Sequence, residues 1–276
     1  MPESRTHTHY TPRAPELELA ELLVTWRNRV DPRRIHGVSQ IRRRSTGLTQ
    51  AEVAKLTGVS REWYGKLENG HQANFSEVFL DRLALTFRLD PSERLTLFLL
   101  AIGKPPVPLS VPSEVAMSAV DQPMREMLDA QLPNPAYLSD IAWNIVAYNQ
   151  PQIEWFPWIP QEPNLMRWAF LYPEAREQLV NWDRDWARPF LAQIRVALAK
   201  FPDEQGLLNL RDDILEGNQE AARLWADHEA LEHPDGDVRR LRVPYHDGSE
   251  VPVRIMAMAP LRAPHMRFIT LVPTTI

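Results

Sequence analysis

The 276-residue sequence contains no cysteine. Disulfides, thiolate nucleophiles, iron–sulfur clusters and cysteine-rich zinc sites are excluded together, and the composition suits a reducing compartment. Long apolar runs are also missing. No stretch approaches the ~18–20 residues that a membrane span needs, which excludes a helical integral membrane protein. The first twenty residues, MPESRTHTHYTPRAPELELA, lack the charged-then-apolar layout of a secretory signal, so the expected location is the cytoplasm. Catalytic motifs are absent: there is no glycine-rich phosphate loop, no G-x-S-x-G elbow and no H-E-x-x-H. His228 and His233 stand at i,i+5, a spacing that does not bring two imidazoles to one helix face as zinc requires. The carboxylate pairs Asp183/Asp185 and Asp212/Asp213 lie in polar helical text and read as solvated faces. The expectation is a protein that is not an enzyme and holds neither metal nor cofactor.

What is present is asymmetric. At about twice the usual single-domain size, the chain predicts two domains. Up to Lys104 the sequence carries 16 basic against 12 acidic residues, a net +4, and the remainder carries 15 against 24, a net −9. Between Arg27 and Lys66 there are ten basic residues and three acids. A basic portion joined to an acidic one fits nucleic-acid binding at one end and other work at the other, although a solvated basic face has the same composition. The stretch GKPPVPLSVP (Gly103–Pro112) holds four prolines in ten residues, which stops a helix and favours a stiff, extended connector. The predicted organisation is a first domain over residues 1–103, a proline-rich linker over 104–120 and a second domain over 121–276.

The first hundred residues predict five helices. An apolar face from Glu16 to Val30 ends at Asp31-Pro32, and a basic loop follows. In LTQAEVAKLTGVSREWYGKLENG (Leu48–Gly70), Thr49 and Glu52 have the spacing of a capping box, Gly58 sits in a tight turn, and Ser60 caps a second short helix. Two more helices follow, over Ser76–Arg88 and from Asp90-Pro91-Ser92-Glu93 to Ile102. Helix, three-residue turn and helix, packed by three others, is a helix-turn-helix arrangement. Leu48-Thr49-Gln50, Ala54, Gly58-Val59-Ser60, Leu67-Glu68 and Gly70 resemble the phage-repressor-like Xre family of DNA-binding domains. The resemblance implies that Arg61, Glu62 and Lys66 of the second helix meet base edges in the major groove. Arginine suits guanine O6/N7 and glutamate suits cytosine N4. It also implies that Gln50, Ser60 and Asn69 contact the backbone. The long loop from Asp31 to Gly47 carries Arg42, Arg43 and Arg44, expected to neutralise phosphates and add salt dependence without sequence choice. Trp63 is expected to pack in the core in preference to a thymine methyl.

In the second half, Ala136-Tyr137-Leu138 and Ile141–Tyr148 predict strands around a turn. Residues 164–202 predict helix, with Trp182, Trp186, Phe190, Ile194 and Leu198 recurring every four residues. GNQEAARLWADHEA predicts another helix, and three strands close the chain. The expected fold is α+β, an antiparallel sheet with helices on one side. NPAYLSDIAWNIVAYN, NLMRWAFLYPEARE and AARLWADHE resemble the MmyB-like ligand-binding domain that follows an Xre-type domain in transcription regulators. That resemblance implies a PAS-like fold and a fatty-acid-like effector.

Seven of the nine tryptophans lie between Trp143 and Trp225. Trp182 and Trp186 read as core, whereas Trp143, Trp155, Trp168 and Trp225 are candidate pocket walls because they stand in or beside the matching segments. Arg167 and Arg176 are candidate anchors for an acidic headgroup, or else surface ion pairs. Asn144 either orients a ligand or finishes a strand. His228 either titrates as a switch or is hydrogen-bonded structurally. The expected partners are double-stranded DNA bearing a pseudo-palindromic operator, a small amphiphilic effector and a second copy of the chain, with no membrane. A second domain that serves as a protein-interaction module, with its aromatics forming a closed core, has the same composition.

Overall fold

The computed structural model describes residues 15–35, 38, 43, 46–71, 75–106, 120–231, 236–244, 249–261 and 263–274. Among these, five α-helices open the chain: α1 (Pro15–Arg29), α2 (Gln50–Thr57), α3 (Arg61–Glu68), α4 (Glu77–Thr86) and α5 (Pro91–Ile102). Their starts follow from side-chain chemistry. Thr49 Oγ1 accepts from the Glu52 N–H while the Glu52 carboxylate accepts from the Thr49 N–H, so two orphan donors are satisfied at once. Ser60 and Ser76 cap α3 and α4, and Asp90, Pro91 and Glu93 open α5. Gly58 ends α2 at φ 76°, a left-handed conformation that costs glycine nothing. Gly47 meets a different need: a Cβ there would stand 2.5 Å from the Arg27 carbonyl oxygen. Leu23, Leu48, Val53, Tyr64, Leu83 and Leu97 are completely buried between these helices.

The second half contains α6 (Gln122–Asp129), β1 (Ala136–Ser139), β2 (Ile145–Tyr148), α7 (Gln150–Trp155), α8 (Leu165–Leu171) and α9 (Pro173–Gln178). A π-helical turn (Trp182–Ala187) runs into α10 (Arg188–Lys200), followed by α11 (Gln205–Gly217) and α12 (Gln219–Trp225). The strands β3 (Val238–Arg242), β4 (Glu250–Met258) and β5 (Arg267–Pro273) complete an antiparallel sheet of order β2-β1-β5-β4-β3. The domain is α+β, as expected.

Two details differ from expectation. The helical stretch over 164–202 is broken. Tyr172 is extended ahead of Pro173, as a residue preceding proline prefers. Leu179 bridges to Leu241, and Asn181 takes φ 54°. The sheet is also covered on its second face over β1, β2 and β5, though not over β3 and β4. Tyr137, Ile255, Ile269 and Leu271 belong to the large core under the later helices, whereas Leu138, Ala147 and Phe268 pack with Leu128 of α6 and with Met266. Successive strand residues point to opposite faces, and here both phases of β1 and β5 are apolar.

Candidate effector cavity and nucleic-acid interface

The outer face of α3 presents Arg61, Glu62 and Lys66 to solvent, with Ser60 and Asn69 exposed at its two ends. Ser60 Oγ accepts from the Trp63 N–H at 3.1 Å. Trp63 is half-buried, edge-on to Phe75 and Phe79 with ring centroids 5.8 and 4.7 Å away, which places it with the core side chains. The helix is held by a buried carboxylate. Glu68 accepts from Arg27 Nε (2.5 Å) and Nη2 (3.2 Å), from the Tyr64 hydroxyl (2.6 Å) and from Gln50 Nε2 (2.8 Å). Burial, with the Glu68 charge beside it, pushes the Tyr64 phenol well above its ordinary range. Gln50, expected at a phosphate, therefore has its amide nitrogen committed inside the domain. Arg43 pairs with Glu52 at 2.7 Å and donates to the Gly47 carbonyl, so it ties the loop to the start of α2. Arg42 and Arg44 lie outside the described residues.

The second site is a cavity of about 50 Å³ between the sheet and the helices. Its sheet wall is Tyr137, Ser139, Arg239, Ile255, Arg267, Ile269 and Leu271, and its helix wall is Gln152, Phe156, Leu165, Trp168, Leu179, Trp186, Phe190 and Gln193. Trp143 stands at one end, in a turn shaped by Asp140. Asp140 Oδ1 accepts from the N–H groups of Ala142 and Asn144, both at 2.9 Å, and Trp143 takes φ 61°. An outer groove of about 440 Å³ shares Trp143, Gln193 and Arg267 with the cavity and adds Lys200, Phe201 and His265. The Arg267 guanidinium lies 4.0 Å from the Trp143 ring and forms a partition between the two spaces.

The polar groups of this apolar cavity are unusual. Arg239 is 4% exposed, and burial holds its pKa below the ordinary value. Its carboxylate neighbour, Asp237, is 3.7 Å away. Burial lowers the Arg267 pKa to about 10, and Arg267 Nη1 donates to the Asp140 carbonyl at 2.8 Å. Ser139 Oγ, Gln152 Oε1 and Trp168 Nε1 are buried and have no hydrogen-bond partner among the described residues. Each such orphan costs ~1–3 kcal/mol, and three of them stand around this one cavity. Two cations, an indole N–H and a hydroxyl suit an acceptor-rich anionic head, and the remaining wall suits an apolar body.

Of the residues expected at a pocket, the structure brings Trp143 and Trp168 to this wall and places the others elsewhere. Asn144 donates to Asp140 and accepts from Asn164, both at 2.8 Å, which fixes the turn. Trp155 packs on the core from outside the wall. Arg167 joins Glu162 and Asp213. The guanidinium of Arg176 sits 3.8 Å from the Trp182 ring and pairs with Glu220 at 2.8 Å. Trp225 is covered by Arg195, and His228 is exposed. The two buried cations at the cavity are strand residues that helix-centred reasoning overlooks. The available signal was alternation: Arg239 shares its phase with Leu241, and Arg267 shares its phase with Ile269 and Leu271. Trp186 stands in the core, as expected, and also lines the cavity.

Comparison with protein families gives two matches. Residues 120–275 match the MmyB-like transcription regulator ligand binding domain, and residues 18–97 match a helix-turn-helix domain. No curated protein gives a match.

Proposed function

This chain belongs to the MmyB-like transcription regulators, and from that premise we propose that it switches operator binding in response to a small anionic amphiphile of fatty-acid-like kind. The helix-turn-helix domain supports DNA as a partner and the ligand-binding domain supports a small-molecule effector. The observation that carries the finer reading is the pair Arg239 and Arg267, set with two orphaned donors, the Ser139 hydroxyl and the Trp168 indole N–H, around one apolar cavity. The effector's acidic group meets these arginines, and its apolar part lies against Trp143, Trp168, Trp186 and Phe190. A cavity of this size holds about four water-sized groups, so a longer chain extends past the Arg267–Trp143 partition into the outer groove.

At the other end, Arg61, Glu62 and Lys66 read bases while Ser60, Asn69 and the arginine-bearing loop face the backbone. The protein acts in the cytoplasm as a homodimer, with two α3 helices in successive major grooves ~34–36 Å apart on a pseudo-palindrome. Residues 1–103 form the DNA-binding unit, 104–120 the linker and 121–276 the sensor.

A second reading is favoured by the exposure of Val238, Met256 and Met258 on one side of β3 and β4: that surface receives a protein, and the aromatics serve only as core. Mass spectrometry of an organic extract of the natively purified protein tests the choice. The expected result is a stoichiometric acidic amphiphile that Arg239→Met protein no longer carries. Clean extracts, with tryptophan emission unchanged by short- to long-chain carboxylates, would overturn the effector reading and favour the second.

A further inference from the structure

Among the described residues, a segment over 165–179 joins the two halves of the chain. On one side this segment is cavity wall, through Leu165, Trp168 and Leu179. On the other it grips the DNA-binding half. Arg82 Nε of α4 donates to the Leu171 carbonyl at 2.8 Å. Arg88, just past α4, pairs with Glu174 at 2.7 Å, and their side chains are only 17% and 4% exposed. Lys55 of α2 pairs with Glu177 at 2.8 Å. A Cβ added at Gly58, in the turn between α2 and α3, would stand 3.9 Å from the Pro173 ring. Arg88 holds φ 52°, and its Nη1 donates to the Leu85 carbonyl. An arginine in that sparsely populated conformation persists only where its surroundings require it, and here it is aimed at Glu174.

We propose that residues 165–179 are the coupler between effector and operator. Occupation of the cavity moves α8 and α9, and the three latches Arg82–Leu171, Arg88–Glu174 and Lys55–Glu177 carry that movement into α4 and the turn that begins α3. The mechanics follow from the two walls. The sheet side is hydrogen-bonded strand to strand. The helix side is a seven-residue and a six-residue helix, flanked by extended residues at Tyr172 and Leu179, so added volume displaces the helices first. The ligand class rests on the function proposed above; the linkage between wall and latch does not.

The absence of cysteine makes the test direct, because two introduced thiols are the only labelling sites. Spin labels at Val78→Cys on α4 and Arg254→Cys on β4, both exposed, report the distance between the halves in the full chain. Ser139→Phe fills the cavity from the sheet side without any ligand, and Ser139→Leu, which adds less volume, serves in its place should that variant not fold. Sodium decanoate is the added probe, with tryptophan emission as the separate measure of binding.

The expected result is a shifted label distance with Ser139→Phe and a change of about fivefold or more in affinity for an operator selected from random DNA. Both effects should vanish in an Arg88→Met/Glu174→Met background. Lys55→Glu should weaken the response and Glu177→Lys in the same chain should restore it. An unchanged distance in folded wall variants would overturn the coupling, and so would an equal shift in the unlatched background. Decanoate that fails to alter emission while wall variants still move the labels counts against the ligand class and leaves the coupler standing.

Discussion

Arg239 separates a charge kept for binding from a charge kept for folding. It is 4% exposed and lies 3.7 Å from an Asp237 that is itself 55% exposed. Replacing it with methionine removes that weak pair and two ring contacts at 5.2 and 5.8 Å, a loss of ~0.5–2 kcal/mol together. The substitution also ends the desolvation of a poorly paired cation. Exchanging buried charge for an apolar side chain of similar length is neutral to ~1–4 kcal/mol stabilising, and methionine adapts to irregular space. The expected net effect is about 1–2 kcal/mol of added stability in the sensor half. At ~2–4 °C per kcal/mol for a domain of this size, the melting temperature should rise by about 2–8 °C. Scanning calorimetry of the full chain measures it, and a fluorescence titration with carboxylates should show binding lost in the same protein. A stability loss of more than about 2 kcal/mol would refute the reasoning, because Arg239 would then be a structural anchor with no cost to recover.

Glu68→Ala leaves the half-buried Arg27 with the Leu48 carbonyl and Asn28 as its remaining acceptors and strips Tyr64 and Gln50 of theirs, so chemical denaturation should show the helix-turn-helix half weakened by ~1–3 kcal/mol. Arg61→Ala should relax selection at one base position, worth ~1–3 kcal/mol there; equal losses on selected and scrambled DNA would remove its assigned role. Arg42→Ala and Arg44→Ala should each lower the salt slope of DNA binding by about one. Arg43→Ala, by contrast, should lower thermal stability and leave the slope unchanged, since Arg43 is committed to Glu52. The Arg29 guanidinium, hydrogen-bonded to Glu93, holds that carboxyl below its ordinary value of 4.5. A depressed carboxyl stabilises the fold above that value and loses its contribution as pH falls through the folded pKa. Arg29→Ala should therefore shift acid unfolding, followed by far-ultraviolet circular dichroism, to higher pH.

The helix-turn-helix half was legible because its determinants are local. Thr49 and Glu52, Gly58, Ser60, Ser76 and Asp90-Pro91 each act within one turn of their own position. The sensor half is governed by contacts distant in sequence. Composition marks Trp143, Trp168 and Trp225 alike, yet only the packing of β1, β5 and α8 decides which of them borders a void. Arg239 and Arg267 were missed for a related reason: a basic residue in a strand reads as solvent-facing until its phase is compared with its apolar neighbours. The helix-borne Arg167 and Arg176 found carboxylates and a ring within reach on adjoining helices, and those contacts hold them away from the cavity.

The three bonds that Glu68 accepts from Arg27 and Gln50 bind α3 to α1 and to the start of α2, so the recognition helix has no hinge of its own. It travels only as part of the whole headpiece. In the proposed homodimer, an effector acting on such a body would leave unchanged the letters that α3 prefers and alter how far apart the two headpieces stand. Regulation of this kind edits the spacing of an operator and keeps its spelling.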